Sequence, residues 1–194
     1  MVVDEPAFEL LPHAAKASTA TSARGTTESL RIIRNGTKSE RTSNVGTMPP
    51  RCSYEVTARS GAPPERVFEL LADAKSWPRW AGPLVGQASW EREGDPAPGG
   101  VGAIRKIGRW PVFGREEIVV SEPPTHHAYT TLSGNPVRNY RADVLLGAGG
   151  GGTVIKWSAT FEPLVPGTGR ALEGVYRRLI GSFARRLAAF AESH

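Results

Sequence analysis

Residues 153–161, TVIKWSATF, and residues 167–192, GTGRALEGVYRRLIGSFARRLAAFAE, decide the fold between them. In the first, Ile155, Trp157, Ala159 and Phe161 alternate with Lys156, Ser158 and Thr160, the two-residue period of a strand with one buried face. In the second, Leu172, Val175, Tyr176, Leu179, Phe183, Leu187 and Phe190 recur at three- and four-residue steps. That is the stripe of a long helix laid on a core. Arg177, Arg178, Arg185 and Arg186 fall outside it and read as a solvated face.

Working back from residue 153, glycines 149–152 form a turn, and strands are predicted over 138–146, 125–132, 114–121, 102–109 and 84–92. Residues 53–60 alternate Tyr54, Val56 and Ala58 against Glu55, Thr57 and Arg59, giving one further strand. Between it and the rest, Pro63-Pro64 opens a helix carrying Val67, Phe68, Leu70 and Leu71 on one side, since proline is tolerated in a first helical turn. A second short helix follows over 73–80, interrupted at Trp77-Pro78. The expected architecture is α+β: a curved antiparallel sheet of seven strands around a long C-terminal helix, with two short helices after the first strand. Such a closure tends to leave a cavity.

Residues 1–50 differ in kind. Ala, Ser, Thr, Arg and Pro dominate, and Leu30, Ile32 and Ile33 are too short a run to form a core. They are expected to be a disordered extension, with Met48 as an alternative start and residues 51–194 as the ligand-binding domain. The hydrophobic fraction of 39% and charged fraction of 22% suit a globular chain rather than a membrane-embedded one. The formal charge of +5 is dispersed, which argues against a nucleic-acid partner. Cys52 is the only cysteine, so no intrachain disulfide can form and no CxxC framework offers a metal site. Neither a secretory leader nor an apolar run of about 18 residues is present, so the expectation is a cytoplasmic protein without stable membrane insertion. No glycine-rich phosphate loop follows a strand, and no cofactor is expected.

Parity then lists what faces inward. Tyr140, Ala142, Val144 and Leu146 share a face, as do Gly86, Ala88 and Trp90. Large aromatics mixed with Ala and Gly are compatible with a ligand cavity and with a filled core alike. Arg138 is in phase with Tyr140, and Glu116 with Ile118 and Val120; an inward ion needs a partner, and the alternative is that both sit at strand ends and reach water. His126-His127 is the evident acid–base pair, expected at the rim after Pro123-Pro124. Ser182 and Cys52 lack a nucleophile setting.

The segment Ser133-Gly134-Asn135-Pro136-Val137-Arg138-Asn139-Tyr140-Arg141 is distinctive, as are Gly152-Thr153-x-Ile155-x-Trp157 and Phe161-x-Pro163-x-x-Pro166-Gly167-Thr168-Gly169. With Ala62, Pro63, Glu65, Val67 and Phe68, then Asp73 and Trp77-Pro78-x-Trp80, they resemble the polyketide cyclase/dehydrase and lipid-transport family. That family belongs to the helix-grip superfamily of START and Bet v 1-like domains. The resemblance runs from about Cys52 to Ala191. It implies a helix-grip fold and a cavity between the sheet and the C-terminal helix that holds a lipid or polyketide-like molecule. The candidate ligand-binding residues are Trp80, Trp90, Tyr140, Ala142, Trp157, Phe161 and Tyr176; no catalytic residue is assigned. Other functions within the superfamily are a cyclase or dehydratase working in the same cavity, and an interaction protein such as a toxin of a toxin–antitoxin pair. Neither the ligand nor the oligomeric state is legible.

Overall fold

The computed structural model describes residues 51–194; the expected N-terminal extension and Met48 lie outside the described residues. In chain order the elements are β1 (Cys52–Ser60), α1 (Pro64–Ala72), a 3₁₀ turn (Ala74–Ser76), α2 (Trp77–Trp80), β2 (Gln87–Arg92) and β3 (Ile104–Arg109). They continue with β4 (Val112–Glu122), β5 (His126–Ser133), β6 (Val137–Gly149), β7 (Gly152–Pro163) and α3 (Gly169–Ser193). The strands form one antiparallel seven-stranded sheet in the order β1-β7-β6-β5-β4-β3-β2. From β2 to β7 it is a meander. β1 returns to the far edge beside β7, so the first described strand lies against the last.

Local chemistry sets these elements. Pro64 occupies the first turn of α1, whose Val67, Phe68, Leu70 and Leu71 are buried. Asp73 ends that helix and starts the next turn, its side chain accepting from the Lys75 amide at 3.0 Å. The second short segment is split at Trp77-Pro78, as its spacing had suggested: the 3₁₀ turn ends at Ser76 and α2 starts at Trp77. Pro78 sits in the first turn of α2, where a missing N–H has no cost. Between β6 and β7, Gly150 and Gly151 adopt φ of 64° and 84°, a left-handed turn that side chains resist.

The long helix is rotated from the expected stripe. Tyr176, Ile180, Gly181, Ala184, Leu187, Ala188 and Ala191 are its buried positions, while Val175 is exposed. Small residues at 181, 184, 188 and 191 let the helix approach β1 closely. A Cβ at Gly181 would stand 3.7 Å from Val56 Cγ1. Phe183, expected to face the sheet, turns instead toward α2. Its ring meets Trp77 and Trp80 edge-on at centroid distances of 6.0 and 6.4 Å.

Where β1, β7 and β6 lie under α3, the core is filled. Ile155, Trp157, Ala159 and Phe161 of β7 are buried, as are Tyr140, Ala142, Val144 and Leu146 of β6. The helix is packed less tightly over β3–β5, and the gap opens there.

Candidate functional site

The gap is a cavity of about 420 Å³, within the range of small-molecule sites. α3 contributes Tyr176, Leu179, Ile180 and Phe183 to its wall, α2 contributes Trp77, and the sheet contributes Ile107, Glu116, Tyr129 and Tyr140. The mouth lies at the turn joining β3 to β4. Leu84, Trp110 and Val112 border it while standing 60, 80 and 67% exposed, an apolar lip open to solvent.

Of the seven residues expected to bind ligand, Tyr140 and Tyr176 line this cavity. Trp157, Phe161 and Trp80 stand one layer behind it. Trp157 meets Trp77 at 6.2 Å and Tyr129 at 6.4 Å, both edge-on, and Phe161 packs on Tyr176 at 5.2 Å. Trp80 packs on Trp77 at 4.4 Å, and its Nε1 donates to the Leu70 carbonyl at 3.3 Å and to Ser76 Oγ at 3.2 Å. Ala142 lies between Tyr129 and Ala159 on the neighbouring strands, in the filled part of the core. Trp90, on the edge strand β2, rests its ring against Gly99 and does not reach the cavity wall. Parity put these side chains on the concave side, but parity carries no information on where α3 stands off the sheet.

Beneath the aromatic lining is a charged pair, of which the sequence offered only Glu116 as a candidate inward ion. Arg105 on β3 is directly opposite Glu116 on β4, and its Nε donates to Glu116 Oε2 at 2.7 Å. The arginine side chain is fully buried, and 16% of the Glu116 side chain remains exposed, at the cavity wall. The guanidinium lies over Trp77 at 4.2 Å and over Tyr129 at 4.7 Å, contacts worth about 2 kcal/mol when desolvated. Glu116 is therefore not at a strand end. Arg138 is, in effect: one extra residue in β6 between Arg138 and Arg141, with Asn139 at φ 50°, breaks the alternation and leaves Arg138 exposed.

A second polar feature is a tyrosine cluster. Tyr54 and Tyr140 join their hydroxyls at 2.5 Å, Tyr176 stacks on Tyr54 at 5.9 Å, and the Tyr176 hydroxyl is buried without a hydrogen-bond partner. Burial, reinforced by the Glu116 charge, holds the phenols of Tyr54, Tyr129 and Tyr140 well above their usual range, and burial raises that of Tyr176, so all four remain protonated at physiological pH.

The two histidines separate by strand parity. His126 faces outward and meets Asp143 Oδ1 at 3.0 Å, beside Arg141. His127, expected at the rim, is fully buried against Phe68 and Tyr129 with both ring nitrogens unpaired. Its strand is already paired with β4 and β6 at that point, opposite Ser121 and Val144. Burial, and secondarily Arg105, pushes its pKa down to about 3. It is a neutral core residue that does not border the cavity. Among the described residues, no group of three or more His, Cys, Asp or Glu side chains is placed to hold a metal ion. No described helix is long and apolar enough to cross a membrane.

With this geometry in view, a family model described as polyketide cyclase / dehydrase and lipid transport matches residues 51–192. The chain belongs to that family. An uncharacterized protein of Mycobacterium tuberculosis, Rv2574, is 32% identical over 126 residues, which span 63% of this chain and 72% of the relative. The uncharacterized protein Mb2604 of Mycobacterium bovis matches to the same extent. Among solved structures, Ara h 8.0201 aligns with a TM-score of 0.59 at 20% identity, covering 75% of this chain and all of that one. The protein XoxI from Bacillus cereus aligns at 0.58 and 17%, covering 72% and 94%. At such identities these likenesses carry the helix-grip fold and nothing finer.

Proposed function

We propose that the protein binds one hydrophobic small molecule in the cavity between β3–β5 and α3. The observation that carries this is the combination of an apolar-lined space of about 420 Å³ with a mouth ringed by exposed Leu84, Trp110 and Val112. Filling that space with ligand removes apolar wall from water at about 25 cal/mol per Å². The exposed lip would otherwise be an unfavourable surface for a soluble chain. Membership in a lipid-transport and cyclase family agrees with this reading.

A cyclase or dehydratase working in the same space is the second reading, supported by Glu116 at the wall beside protonated tyrosines. A carboxylate and a phenol are a feasible base and acid, although Arg105 holds one carboxylate oxygen. The first reading is tested by titration with N-phenyl-1-naphthylamine, an apolar dye that brightens away from water. Saturation at one equivalent supports it; linear, unsaturable brightening contradicts it. Conversion of a reactive poly-β-ketone mimic by the same preparation would favour the second.

A further inference from the structure

The cavity is lined chiefly by apolar side chains; Arg109 and Asn135 stand on its wall near the lip, and Glu116, Tyr140 and Tyr176 are polar groups that are incompletely used. The Tyr176 hydroxyl is buried and makes no hydrogen bond within the protein. Leaving such a group unpaired is unfavourable by about 1–3 kcal/mol. Tyr54 and Tyr140 share a single hydrogen bond, so one of their two O–H groups has no acceptor. Glu116 accepts from Arg105 through Oε2, while Oε1 accepts from no described group. Tyr140, Tyr176 and Glu116 all border the same cavity. The site thus holds spare O–H donors and one spare carboxylate acceptor.

The charges narrow the choice of ligand. Arg105 and Glu116 cancel one another, so an entering ammonium finds no net negative charge to offset its lost hydration. A carboxylate carried in to the tyrosines meets Glu116, and Arg109, the cation on the wall, is exposed and donates to the Pro83 carbonyl. Arg105 cannot swing to receive the carboxylate, being held by Glu116 and packed on the faces of Trp77 and Tyr129. A ketone or ether accepts from the tyrosines but gives Glu116 nothing. A neutral hydroxyl satisfies both sides: its oxygen accepts from a tyrosine, and its proton goes to Glu116.

We propose, building on the ligand-binding reading above, that the cavity selects a neutral apolar compound bearing a hydroxyl group, an alcohol or a phenol. The hydroxyl is held by the Tyr176 O–H and the Glu116 carboxylate, and Tyr140 offers a second donor. Both Tyr176 and Glu116 are needed for that preference, whereas the apolar wall alone suffices for an undirected dye.

The test is displacement of N-phenyl-1-naphthylamine at pH 8 by 1-decanol, its methyl ether and decanoate, on the parent chain and on Tyr176→Phe. The expected result is displacement by decanol at concentrations at least about tenfold below those of decanoate, and below those of the ether. Because the lost hydroxyl has no partner in the protein, Tyr176→Phe should melt at the parent's temperature or above it, and its own dye titration is the reference for its decanol binding. Its affinity for decanol should fall about 3–10-fold, the loss of one hydrogen bond. Decanoate or the ether matching decanol on the parent chain overturns the inference, and so does a Tyr176→Phe variant with unchanged decanol binding. In either case saturable dye binding leaves the ligand-binding reading standing. Dye that fails to bind the parent chain overturns both.

Discussion

Replacing Glu116 with Gln should be among the most damaging single changes available on the sheet, although it alters one oxygen for one nitrogen. Arg105 has a fully buried side chain, and beyond Glu116 it makes no strong hydrogen bond. Nη1 reaches the Leu71 carbonyl at 3.5 Å, at the limit of a hydrogen bond, and Nη2 is buried with no partner. At 2.7 Å the pair attracts by roughly 6 kcal/mol for an effective dielectric near 20. Most of that is offset by the cost of taking two ions from water, so the pair's net contribution is small. Removing one partner keeps the cost and discards the attraction, an expected loss of about 3–5 kcal/mol. For a domain of this size that is a fall of about 10–20 °C in melting temperature. The double change Arg105→Met with Glu116→Leu removes both charges and should lie within about 1 kcal/mol of the parent, or above it. Urea unfolding followed by tryptophan emission measures all three proteins. A Glu116→Gln protein within 0.5 kcal/mol of the parent would refute the reasoning, as would a double variant less stable than the single one.

Other outcomes follow from the same geometry. His127 stays neutral in the fold down to about pH 3 but gains a proton in the unfolded chain below about 6.5, so its presence removes stability progressively between those values. Between pH 7 and pH 5, His127→Leu should therefore lose about 2 kcal/mol less than the parent by urea titration; equal losses would mean that His127 is solvated. Phe183→Ala, at a half-buried ring against Trp77 and Trp80, should lower stability by about 2–3 kcal/mol, and the exposed Arg185→Ala should change it by less than about 0.5. Equal effects would show that α3 is rotated from its described phase. Ala142→Leu enters the filled part of the core between Tyr129 and Ala159, and should cost about 1–3 kcal/mol by overpacking while leaving dye affinity unchanged.

Strand parity on β6 and β7 was enough to place Trp157, Phe161 and Ala142 on the inner side of the sheet, because alternation survives wherever one face is buried. It failed at Arg138, where a bulge at Asn139 inserts a residue that no composition signal marks. The helix was legible as a helix, but its phase was weighted toward large side chains. Ala184, Ala188 and Ala191 decide the approach to β1 because they are small, so a stripe drawn through Val175 and Phe190 pointed slightly wrong. Arg105 was missed, yet a signal existed. It lies in phase with Ala103 and Ile107, and a tight turn at Trp110-Pro111 pairs it with Glu116, itself in phase with Ile118. The family resemblance put the cavity between the sheet and α3, but its place along the sheet was not legible. It depends on where α3 stands away from the sheet, a distance set by side-chain sizes on both layers at once.

The central claim, that the space between β3–β5 and α3 is where an apolar ligand resides, is tested most directly by filling it. Leu179 is half-buried on α3, lines the cavity and lies outside the packed contact with β1. Leu179→Trp places a larger ring into the vacant space, so titration with N-phenyl-1-naphthylamine should show binding at one equivalent for the parent and at least tenfold weaker binding for the variant. The melting temperature should be unchanged or higher, since the larger ring fills part of a cavity of about 420 Å³. A variant that binds the dye as tightly as the parent would place the ligand elsewhere and contradict the account.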